Sequence, residues 1–122
     1  EIRAAGGIVI LHICKDGLNM KRYESYGPYA DVVNWGVYEG PYSLEKGKAL
    51  FKNCAVLGGL AHDRNSVVYK GTQEEIWKAV KKLIEENGKK KFLIGADCTM
   101  PGDISYEKLR MVAEAARDVS GN

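Results

Sequence analysis

Short apolar runs recur along the chain, each followed by a stretch of helical or turn character, and that alternation sets the expected architecture. The run Ile8-Val9-Ile10-Leu11 predicts a buried first strand reaching Cys14, and Asp31-Val32-Val33-Asn34-Trp35 reads as a second. Ala55 to Leu60 predicts a third strand, whose Gly58-Gly59 lets neighbouring backbone approach closely, and Phe92 to Ala96 a fourth. After the first strand, Lys15-Asp16-Gly17 is a turn. Leu18, Met20, Tyr23 and Tyr26 then suit an irregular helix ended by Gly27-Pro28, and the glycine- and tyrosine-containing segment Gly36 to Tyr42 is loop. Ser43 is placed to N-cap a helix running to about Lys52, with Leu44, Gly47, Ala49, Leu50 and Phe51 as its apolar face. Thr72 and Glu75 form a capping box ahead of Ile76, Val80, Leu83 and Ile84, which recur at helical spacing until Gly88 closes the segment. Ser105 opens a last helix whose buried side is expected to be Leu109, Val112, Ala113 and Ala116.

Strand and helix thus alternate four times over, which predicts an α/β fold of parallel strands joined by right-handed crossovers. Parallel strands place their carboxyl ends on one rim, the side where such folds bind ligands. His12, Cys14, Asn34, Trp35, His62, Asp63, Asp97 and Cys98 all fall at or just past such ends. Because strand side chains alternate, His12 and Cys14 leave the first strand on one face, and Cys98 sits where the fourth strand empties into a loop. One imidazole and two thiols suit zinc, and three protein ligands leave a fourth tetrahedral position open for chemistry. Taken alone the spacing is a weak signal, and buried, inert thiols are the more ordinary reading of it. Cys54 precedes its strand, at the opposite end, and reads as structural. Asp97 suits either a hydrogen bond to a ligand residue or a helix start, and His62-Asp63 either a pair orienting a ligand and moving protons or an exposed pair. Asn34 is a further candidate for supporting the ligands. Trp35 and Tyr38 fit a wall for a cofactor or substrate, with core packing the alternative for Trp35.

Composition narrows the classes. At 122 residues, 45% apolar and 28% charged, residues 1–122 fit one domain with one core. A net charge of +2 gives no electrostatic footprint for nucleic acid or for a membrane surface, so neither partner is expected. Lys89-Lys90-Lys91 follows a helix-ending glycine, where cations complement the helix dipole. No apolar run approaches a membrane span and no secretory leader is present, while three cysteines without scaffold spacing fit a reducing compartment; the cytoplasm is the expected location. The chain begins Glu-Ile-Arg, without an initiator methionine, as a processed protein or a piece of a longer one would.

Nearly the whole chain resembles the C-terminal half of the uroporphyrinogen decarboxylase superfamily, an eightfold TIM barrel. The resemblance runs through Leu11-His12-Ile13-Cys14, Asp31 to Trp35, Val56-Leu57-Gly58-Gly59, Gly71 to Ile76, and Gly95 to Pro101. It is most similar to the branch of zinc-dependent, corrinoid-linked methyltransferases, including the methylcobalamin:coenzyme M methyltransferases. That resemblance implies His12, Cys14 and Cys98 as zinc ligands, a thiol acceptor such as coenzyme M held by the ion, and a methyl group arriving from methylcobalamin on a separate corrinoid protein. Two departures stand out. Lys15 occupies a position that is often glycine, which implies either a turn that runs differently or a cation placed near an anionic acceptor, and the histidine of true decarboxylases, which act on a tetrapyrrole, is absent where Cys98 stands. The resemblance also implies that this chain alone is not a complete enzyme. Four parallel strands leave two unpaired edges and an apolar inner face, to be covered by the N-terminal half of the barrel or by self-association as a two-fold dimer. Decarboxylation of a tetrapyrrole is the alternative enzymatic reading, and a non-catalytic assembly role for the half-barrel, with or without zinc, is the third.

Overall fold

The structure, a computed structural model, describes residues 1–14 and 19–121. The turn expected at Lys15-Asp16-Gly17, the apolar position Leu18 and the cation of Lys15 lie outside the described residues. Four strands, β1 (Ile10–Ile13), β2 (Val32–Trp35), β3 (Ala55–Leu60) and β4 (Phe92–Ala96), form one parallel sheet in the order β1-β2-β3-β4. The connections hold a 3-10 helix, Met20–Tyr29, then α1 (Leu44–Leu50), α2 (Val67–Lys70) and α3 (Gln73–Asn87), and α4 (Tyr106–Ser120) follows β4. This is the expected α/β alternation, an arc of a (β/α) barrel.

The register assigns the two faces. Ile13 lies level with Trp35, Val33 with Val56, and Val56 with Phe92. This row packs outward against the helices, where Ile13, Val33, Trp35 and Val56 join Met20, Leu44 and Phe51 in one core. Ile76, Val80 and Ile84 of α3 meet Ala115 of α4 in a second core, with Phe92 and Ile94 behind them. On the other face Ile10 and His12 align with Val32 and Asn34, then with Ala55, Leu57, Leu93 and Gly95. That concave face carries apolar side chains in the open: Ile10 is 58% exposed and Leu93 43%.

Several expectations are corrected. The first strand is shorter than Ile8 to Cys14 and is not buried throughout, because β1 is an edge strand with one face open; Ile8 is 72% exposed. The irregular helix runs through Gly27-Pro28 to Tyr29 and is wholly 3-10. Helix α1 stops at Leu50 with Phe51 as its C-cap, and Ala49 faces outward. On α4 the buried stripe includes Ala115, whereas Leu109 and Ala113 are exposed. Both stripes satisfy helical spacing and share Val112 and Ala116. Close packing on α3 selects the phase with small Ala115 at the contact. The caps at Ser43, Thr72 and Ser105 and the Thr72–Glu75 capping box stand as read, and Ser66 adds an N-cap to α2, a helix too short to show periodicity. Among the described residues no helix is long and apolar enough to cross a membrane.

Candidate metal centre

His12 projects from the concave face of β1 near its carboxyl end, and Cys14 follows one residue beyond the strand, so alternation directs both to the same side. Cys98 lies two residues past the end of β4. The sheet's curvature closes the gap between these edge strands. Cys14 Sγ stands 3.6 Å from Cys98 Sγ, and Cys98 Sγ stands 3.6 Å from His12 Nε2. All three donor atoms lie within 4.8 Å of one another, the one such group of potential metal ligands among the described residues.

The donor set fits a tetrahedral ion in both chemistry and size. Bonds of about 2.3 Å to sulfur and about 2.0 Å to nitrogen, at tetrahedral angles, separate two sulfurs by roughly 3.8 Å and a sulfur from a nitrogen by roughly 3.5 Å. The Cys14–Cys98 and Cys98–His12 separations are close to these values, and the His12–Cys14 pair lies within 4.8 Å. Cys14 and His12 are exposed and Cys98 partly so, which leaves one side of the cluster open. Cys54 contrasts with this pair. It is buried at the opposite end of β3, its thiol donates to the carbonyls of Gly27 and Ala30, and burial pushes the thiol pKa up. That environment suits an inert structural cysteine.

The other rim residues take distinct places. Asn34, beside His12 in the register, accepts from the imidazole at 2.5 Å between Oδ1 and Nδ1. Its amide nitrogen donates to the carbonyls of Leu57 and Ala96. Asp97 is 1% exposed. Its carboxylate accepts from the backbone amides of Gly59 at 2.7 Å, Val37 at 3.1 Å, and Tyr38. Burial pushes its pKa up to about 6, against the pull of those amides and of nearby His62. Asp97 therefore clamps the ends of β2 and β3 to the start of the loop carrying Cys98. It does not start a helix, since α4 is capped by Ser105. His62 pairs with Glu39 at 3.2 Å, and Asp63 accepts from the amide of Asn65 within its own turn. Neither is brought to the sulfurs. Trp35 lies in the outer core, its indole N–H donating to the carbonyl of Tyr42, and Tyr38 is exposed with its hydroxyl on the carbonyl of Gly59. The loop beyond Cys98 is tied down by Asp103, which accepts from Arg64 and Tyr69. Sequence reasoning passed over Glu39 and Asp103, whose partners come from distant elements and leave no local pattern.

A parallel α/β arc with its potential metal ligands gathered at the carboxyl ends of its strands places them on the side where barrel folds bind ligands. The uroporphyrinogen decarboxylase (URO-D) family matches residues 1–119, and the chain belongs to that family, a TIM-barrel superfamily of enzymes that includes decarboxylases and methyltransferases. No curated protein matches the chain.

Proposed function

We propose that this chain carries the metal half of a zinc-dependent methyltransferase site, in which a thiol acceptor takes a methyl group from methylcobalamin borne by a separate corrinoid protein. The observation that supports this reading is the convergence of His12, Cys14 and Cys98 at separations suited to a tetrahedral ion. When bound, zinc supplies the Lewis acidity that keeps a thiol ligand deprotonated, and hence nucleophilic, near neutral pH. The chain's own residues have the remaining tasks. His12 Nε2 and the two sulfurs would hold the ion, and the exposed side of the cluster would be left to the acceptor. Asp97 holds the end of β4 so that Cys98 meets the pair from β1. The open concave face below the rim, with Ile10 and Leu93 uncovered, fits a barrel wall that the rest of an eight-stranded barrel would complete.

Protein purified without chelator is expected to contain about one zinc ion per chain. Cys14→Ala and Cys98→Ala should each abolish most of it, and Cys54→Ala should not. Zinc content unchanged in both of the first two variants removes the site. For the reaction, full-length protein given methylcobalamin and a thiol should show loss of the methyl–cobalt absorbance, and a chelator should stop it. Activity on uroporphyrinogen that is indifferent to chelation would replace methyl transfer with tetrapyrrole decarboxylation.

A further inference from the structure

We propose that Asn34 is the positioning residue of this centre: its carboxamide holds the neutral His12 ring as the Nδ1–H tautomer and so turns the Nε2 lone pair toward the two sulfurs. The argument begins with the amide's orientation. Asn34 is buried, and one end of its carboxamide faces two carbonyl oxygens, Leu57 O at 2.9 Å and Ala96 O at 3.1 Å. Only the NH2 end can face two acceptors, so the oxygen must be the atom that meets His12. At 2.5 Å between Oδ1 and Nδ1, an unprotonated Nδ1 would set lone pair against lone pair. Nδ1 therefore carries the proton, and in the neutral ring Nε2 is left as the acceptor. Nε2 is the nitrogen that faces Cys98.

The choice of residue follows from the same contacts. Aspartate would accept from His12 equally well, but its second oxygen would face the carbonyls of Leu57 and Ala96 with no proton to offer both. Leucine would fill the space and release the ring. The carboxamide alone matches one donor and two acceptors, and it does so with a side chain on β2, an imidazole on β1 and carbonyls on β3 and β4. Because Ala96 lies two residues before Cys98, the same amide that orients the imidazole also holds the strand end that delivers the second sulfur.

The tautomer is independent of any metal, whereas the effect on metal affinity rests on the function proposed above, so two measurements separate them. Long-range 15N–1H correlation spectra of the metal-free protein at pH 8 should show His12 with Nδ1 protonated and Nε2 bare. Asn34→Leu should lose that signature and weaken Co(II) binding, followed by its thiolate charge-transfer absorbance, about 10- to 100-fold, whereas Asn34→Asp, which still accepts from Nδ1, should keep the signature. A wild-type ring protonated chiefly at Nε2 overturns the assignment without reference to either variant, so it stands or falls even if both fail to fold. A folded Asn34→Leu variant that keeps the Nδ1–H signature and the wild-type affinity overturns it too. If the wild type shows the expected tautomer but binds no Co(II), the orienting role of Asn34 stands and the metal reading falls.

Discussion

At the scale of single residues, Gly47 leaves room for the Trp35 ring in the outer core. A methyl group at position 47 would overlap the Trp35 ring, and the ring has nowhere to go: it is buried, packed beside Phe51, and tethered by its N–H to Tyr42. Gly47→Ala should therefore destabilise the protein by about 1–3 kcal/mol, even though alanine favours the helix interior by about 1 kcal/mol. A chemical-denaturation midpoint equal to or above wild type would contradict that contact. The sequence marks Gly47 as part of an apolar face, but its necessity is invisible there, because Trp35 comes from another element. The same limit applies at the site. His12 and Cys14 are legible through strand alternation and Cys98 through its place after an apolar run. The work of Asn34 depends on the carbonyls of Leu57 and Ala96, which every residue has and only the fold brings together.

At the scale of elements, what could be read depended on how local the determinant was. β3 and β4 have the limits their apolar runs indicate, and the Thr72–Glu75 box starts α3 because all its partners lie within one turn. β1 is shorter than its apolar run, because where a strand begins to pair is a property of the sheet. Its start is fixed from outside by Asp31, which accepts from the amide of Val9 at 2.8 Å and from Arg3 at 2.9 Å. The Val9 amide and then the Arg3 side chain hold the Asp31 carboxyl below its ordinary value of 3.8. A carboxyl with a lowered pKa in the folded state contributes stability that is present above the unfolded value and lost as the pH falls through the folded one. Asp31→Asn should accordingly remove part of the acid destabilisation below about pH 4, while lowering stability at pH 7. Parallel stability curves for the two proteins through that range would show that the anchor contributes nothing.

At the scale of the whole molecule, the fold class follows from the repeated alternation of strand and helix, and the concave apolar face follows from parallel strands that do not close on themselves. The cluster at the rim joins opposite edges of the sheet, and this has a consequence for how the chain folds. Cys14 and Cys98 are separated by 84 positions, so their meeting closes a loop that spans most of the chain. Loop closure of that length is entropically costly before the sheet exists, and the sulfurs cannot meet until β4 has docked on β3. An ion held by both should act as a late clasp. Excess zinc at about 100 times its dissociation constant is expected to raise stability by about 2.7 kcal/mol, and Cys98→Ala to abolish the gain. In stopped-flow experiments the clasp should appear almost entirely as slower unfolding, with the refolding rate little changed, because contacts made after the barrier affect only the return over it. Faster refolding with unchanged unfolding would mean instead that the two ends of the chain find each other first and the sheet assembles between them.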